Sequence, residues 1–151
     1  MKHAILLFLL AASLVILAAC NPKEVLTAQE FTVRMEAAGY EVEDVTSWLS
    51  VDHEISTVIV AGTEDIIIEF FVFATDAAAR RSFTTIQRYI EDGAGRTRST
   101  RSQNVANYDR FQQTSDGRFE AVTRVENTIL TIETTTEHRD AALAVLEVLG
   151  Y

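Results

Sequence analysis

The sequence predicts an α+β domain in which an antiparallel sheet of five to six strands carries three amphipathic helices, in the order α-βββ-α-βββ-α. Three observations lead there. Helical periodicity flanked by start and stop residues occurs three times, and two apolar runs, "STVIVAG" and "DIIIEFFVF", are rich in β-branched and aromatic residues. The stretch "NYDRFQQTSDGRFEAVTRVENTILTIET" alternates in hydrophobicity around two turn dipeptides, Asp116-Gly117 and Glu126-Asn127.

The first helix starts in "LTAQEF", where Thr27 is placed to cap and Glu30 to reach back to it, with Leu26 and Phe31 flanking them as a hydrophobic staple. Phe31, Met35 and Ala38 then share one face, and Gly39 is a stop signal. Residues 41–57 have no clear pattern, and Trp48 within them reads as a core residue. In "DIIIEFFVF", Ile66, Ile68, Phe70 and Val72 face one way and Ile67, Phe71 and Phe73 the other. Apolar on both sides, this strand belongs in the interior of the sheet, joined to "STVIVAG" by a hairpin loop from Gly62 to Asp65.

A second helix follows from Thr75 or Asp76 to Asp92, with Ala79, Phe83, Ile86 and Ile90 on one face and Gly93 after it. In the later meander Phe119, Ala121, Thr123 and Val125 alternate with Arg118, Glu120, Val122 and Arg124, a half-buried pattern that leaves one face to water. The third helix spans about Thr136 to Leu149, with Ala142, Leu143, Leu146 and Leu149 inward and Gly150 as its stop. Strands followed by a capped helix occur twice, which raises a degenerate βββα repeat as an expectation.

Ahead of all this stands an apolar run, Ala4 to Ala19, shorter than the roughly 20 residues that span a bilayer. Lys2 and His3 precede it and small residues close it, the layout of a signal peptide. Its end, "LAAC", resembles the lipobox of bacterial lipoproteins. That resemblance implies cleavage after residue 19, a diacylglyceryl group on Cys20, a lipidated tether over residues 20–26 and a single domain over 27–151. The alternative is an uncleaved anchor helix with a buried cysteine. Cys20 is the single cysteine of the chain, so no intramolecular disulfide forms. Two acyl chains give stable anchoring where one gives only reversible binding. The implied location is the outer face of the bacterial cytoplasmic membrane, or the outer membrane in a Gram-negative source.

The mature chain also resembles small lipoproteins of Gram-positive, Firmicutes-type bacteria. "LTAQEF", "AAGY", "IEFFVF", "RVENTIL" and the terminal "LGY" carry the likeness. It implies location and architecture and brings no activity with it.

A net charge of −9 argues against nucleic-acid binding. The charge is uneven: acids dominate from Glu24 to Asp76, while eight arginines fall between Arg80 and Arg118. Arg96, Arg98 and Arg101 lie close together in "GAGRTRSTRS", read as a Gly/Ser/Thr loop. Either their forked guanidiniums grip phosphates of headgroups or an anionic envelope polymer, or they pair with the acidic face of the same molecule. Gly93-x-Gly95 follows a helix, so it is no P-loop.

No catalytic, cofactor or metal motif stands out. The run Asp52, His53, Glu54 has no nucleophile tied to it, and His138 lacks the partner of a zinc-binding helix. The expectation is therefore a non-catalytic binding or accessory lipoprotein contacting a protein or an anionic polymer. The alternative is an envelope hydrolase using a carboxylate pair, which requires a cleft holding two acids, one with a raised pKa.

Overall fold

The computed structural model describes residues 22–48, 54–95 and 98–151. The leader, Cys20, His53 and Arg96 lie outside the described residues. Seven antiparallel strands form one sheet, β1 (Glu41–Asp44), β2 (Ile55–Gly62), β3 (Ile66–Phe73), β4 (Arg98–Val105), β5 (Tyr108–Ser115), β6 (Arg118–Val125) and β7 (Thr128–Thr135), in the order β1-β2-β3-β7-β6-β5-β4. Among the described residues three α-helices accompany it: α1 (Ala28–Ala37), α2 (Asp76–Asp92) and α3 (Arg139–Leu149).

The α+β class and the three helices are as the sequence predicts; the strand count is not. The additional strand is β4, which occupies the segment read as an arginine loop. All eight of its residues are exposed, seven of them polar, so it has no apolar alternation to reveal it. It forms because Ala106-Asn107 makes a two-residue turn and every residue from Arg98 to Val105 then pairs with β5. The polar composition suits an edge strand, since it discourages pairing with a second chain. The opposite edge, β1, is short and carries Glu41, Glu43 and Asp44.

α1 begins as predicted. The Glu30 amide donates to Thr27 Oγ1 at 3.2 Å and the Thr27 amide donates back to Glu30 Oε2 at 2.9 Å, so two of the helix's orphan donors are satisfied. Ala38, expected on the buried face, is the exposed C-cap. α3 is preceded by a 3-10 turn at Thr136–His138 and ends at Gly150, whose φ of +85° favours glycine. The chain then tucks Tyr151 back into the core, 3 % exposed, with its hydroxyl 2.6 Å from Thr128 Oγ1.

α1 and α3 share one face of the sheet. Beneath them Phe31 stacks on Phe70 with ring centroids 4.7 Å apart, and Ile68, Leu130, Ala121, Leu146 and Tyr151 complete the larger core. α2 covers part of the other face, where Ala79, Phe83 and Ile90 pack on Phe111, Val122 and Ile129. Both faces thus carry helices, which corrects the expectation of a water-facing side to the meander. Val122 and Arg124, placed on that side by alternation, are both fully buried. The arginine is tolerated there because Asp109 and Asp76 neutralise it (Nε to Asp109 Oδ2, 2.5 Å; Nη1 to Asp76 Oδ1, 2.6 Å).

The expected βββα duplication is also not observed. Four strands, not three, follow α2, and the two halves meet at the antiparallel pair β3 and β7. A two-fold relating those strands would put both following helices on one face, yet α2 and α3 lie on opposite faces. Trp48 is 72 % exposed and is not a core residue. Its 3-10 turn at Thr46–Trp48 is held by backbone and Thr46 hydrogen bonds to β2, which leaves the indole outside.

Candidate functional site

Because successive side chains on a strand alternate faces, Arg98 and Arg101 point to opposite sides of the sheet. Arg98 lies on the α2 side, with Nη1 3.5 Å from the Glu91 carbonyl at the end of that helix. Arg101 lies on the α3 side. The two therefore form no common grip, and Arg96 lies outside the described residues.

Arg101 instead meets arginines from two other elements. Arg101 and Gln103 on β4 stand across from Gln112 and Arg110 on β5, and one flank of α3, Arg139, Leu143 and Glu147, rises beside them. These seven side chains line a recess of about 240 Å³. The i, i+4, i+8 spacing runs α3 along the strand pair, so Arg139 stands at one end of the recess and Glu147 at the other.

Three guanidiniums against one carboxylate make this recess positive in an otherwise acidic molecule. Arg101 and Arg110 have no carboxylate partner among the described residues; Arg139 has only the exposed Asp140, at 3.4 Å. The Gln112 amide oxygen, turned towards Arg110, accepts from its guanidinium. Nearby, Lys23 is held with its ammonium 4.6 Å from the Tyr108 ring centre. Burial lowers the Lys23 pKa and the Arg110 charge lowers it further. Planar forks with free donors suit phosphate or carboxylate oxygens, which they can engage two at a time. By this chemistry the recess is suited to an anion.

A second cavity, of about 370 Å³, lies on the other face between α2 and β3. Ile67, Phe71, Ile86 and Tyr89 line its apolar side, and Glu69, Glu120 and Glu133 its acidic side. Glu120 and Glu133 are directly opposed across β6 and β7. Arg118 Nη2 donates to both, at 3.2 Å and 2.7 Å. Burial raises the Glu120 pKa, opposed by the Arg118 charge and reinforced by Glu133.

Sequence reading found Arg101 and missed Arg110, Arg139 and the glutamate row. No local signal marks them, because they come together only through strand pairing and helix placement. His138 is one-third exposed, with Nε2 3.7 Å from Asp65 Oδ2. Glu54, beside His53, receives Arg81 at 2.6 Å. No group of three or more potential metal ligands occurs among the described residues.

No family model matches the chain, and no curated protein matches it. Among solved structures it is similar to the crystal structure of a GTP binding regulator from Thermotoga maritima, with a TM-score of 0.50 and 18 % identity. The similarity covers 86 % of this chain and 92 % of that one, and it concerns the fold.

Proposed function

We propose that this is a lipid-anchored extracytoplasmic binding protein, non-catalytic, whose ligand is a phosphate- or carboxylate-bearing molecule at the membrane surface. The observation that carries the ligand class is the recess of Arg101, Arg110 and Arg139. Three guanidiniums with few internal acceptors stand together where only Glu147 opposes them. The anchor rests on the lipobox at Cys20, and the docking of the chain at Lys23 suits it. The Lys23 amide donates to Asn107 Oδ1 at 3.1 Å, Asn107 Nδ2 donates to the Lys23 carbonyl at 2.9 Å, and Lys23 Nζ donates to the Gly150 carbonyl at 2.7 Å. Cys20 is three residues upstream, about 10 Å of extended chain. A domain fastened at that distance holds its β4–β5 turn close to the lipid surface.

This reading is favoured over a two-carboxylate hydrolase. Glu120 and Glu133 lie in a cavity and one has a raised pKa, but they point from neighbouring strands at one guanidinium. Carboxylates that cleave a glycosidic bond flank it from opposite sides; these two clamp a cation.

The test is calorimetric titration of the full chain with glycerol phosphate, alongside flotation with vesicles containing phosphatidylglycerol. Glycerol phosphate binding that weakens with salt and falls more than about tenfold in Arg101→Gln/Arg110→Gln supports a soluble phosphate ligand. Arginine-dependent flotation without glycerol phosphate binding assigns the recess to headgroups. Equal behaviour of wild type and variant in both assays refutes the reading.

A further inference from the structure

One helix cannot cover seven strands. α2 seals its face over β5, β6 and β7 but leaves β3 partly bare, so that Ile67 is 52 % exposed and Tyr89, on the flank of α2, is 77 % exposed. Between them lies the 370 Å³ cavity, within the size range of small-molecule sites. Its chemistry is opposite in sign to that of the arginine recess.

We propose that this groove binds an organic ammonium ion carrying an apolar body. Phe71, Ile86, Tyr89 and the exposed side of Ile67 supply apolar contact, and the faces of Phe71 and Tyr89 suit a cation electrostatically. Three glutamates supply the counter-charge, and the row already holds one cation of the protein's own. Arg118 bridges Glu120 and Glu133 through a single nitrogen. Glu69 is the carboxylate left over. Its acceptor Oε2 takes a hydrogen bond from the Thr131 hydroxyl at 2.8 Å, and no cation reaches it among the described residues. It stands on β3 between Ile67 and Phe71, and strand alternation gives all three the same face. An ammonium at Glu69 would therefore have apolar groups on either side. An anion or a neutral apolar molecule would leave that carboxylate uncompensated or newly desolvated, which sets the selectivity.

The experiment is an NMR titration of the full chain with 2-phenylethylamine, and in parallel with neutral 2-phenylethanol and anionic 3-phenylpropionate. The amine should bind with shifts confined to Ile67, Glu69, Phe71, Ile86 and Tyr89, and the alcohol about tenfold more weakly or worse. Glu69→Gln should bring the amine down to the level of the alcohol. Glu36→Gln, the same charge change on the exposed side of α1, should leave binding as in the wild type. Tyr89→Ala removes an exposed ring without disturbing the core and should also weaken binding, which keeps the proposal testable were Glu69→Gln to misfold. Equal affinity for amine and alcohol would overturn it. So would amine shifts scattered over the acidic surface, or self-association through the groove that the amine does not displace.

Discussion

At the residue scale, several side chains do more than their type suggests. Tyr151, just beyond α3, lies edge-on to Phe70 at 6.5 Å and bonds Thr128. Burial raises its pKa, so the phenol stays protonated and keeps that hydrogen bond throughout the ordinary pH range. Tyr151→Ala should cost about 3–5 kcal/mol, the range for emptying a buried aromatic site, read from urea denaturation. Glu30 gives a pH prediction of known sign. Its hydrogen bonds with Thr27 hold its pKa below the ordinary carboxylate value. The stabilisation is therefore present above the unfolded value and is lost as the pH falls through the folded one. The protection of the amides at the start of α1, corrected for intrinsic exchange, should fall from pH 6 to pH 3. Thr27→Ala should remove the difference.

At the scale of elements, the ion cluster under α2 is the least expected feature. Arg124 on β6 bonds Asp109 on β5 and Asp76 in the first turn of α2, while Thr75 Oγ1 caps that helix by accepting from the Ala78 amide at 3.1 Å. The cluster fixes where α2 starts on the sheet. It is incompletely satisfied: Arg124 Nη2 and Asp109 Oδ1 have no hydrogen-bond partner among the described residues. Arg124→Met alone leaves Asp109 buried without its counter-ion and should cost about 3–5 kcal/mol. Arg124→Met with Asp109→Leu should recover most of that, and a double-mutant cycle measures it. The β4–β5 turn offers the opposite sign. Ala106 has φ +50°, a left-handed conformation that costs an L-residue about 1–2 kcal/mol. Ala106→Gly should raise the denaturation midpoint by the equivalent of about 1 kcal/mol, since the site is exposed and loses no packing.

For the whole molecule, the sheet separates two cavities of opposite charge: an arginine recess beside α3 and a glutamate-lined groove beside α2. A protein of net charge −9 repels anionic lipid at long range, so the phosphate ligand proposed above would have to be recognised locally, by contact with the recess. On the anchored reading, Cys20→Ala should appear as unprocessed precursor or be released from membranes, judged by fractionation and mass spectrometry of the N-terminus. A fully processed Cys20→Ala chain that stays membrane-bound would contradict it.

The sequence by itself determined the α+β class, the three helices with the N-caps of α1 and α2, the β2–β3 hairpin and the last three strands; α3 starts at Arg139, after the 3-10 turn, without a side-chain cap. Each of these rests on local chemistry: Thr27 with Glu30, Thr75 as a cap, Gly39 and Gly150 as stops, and the Asp116-Gly117 turn. The resemblance of "LAAC" to a lipobox, on which the proposed anchor rests, is likewise read without any fold. The tertiary structure decided what depends on distant partners. β4 has no apolar pattern and exists through pairing with β5. Alternation correctly gave Val122 and Arg124 one face, but whether that face met water or α2 depended on where a helix far along the chain came to rest. The placement of α2 and α3 on opposite faces joined Arg101 to Arg110 and Arg139, and set Tyr89 opposite Glu69. Patterns of period two and 3.6 report which side a residue faces; only packing reports what stands on that side.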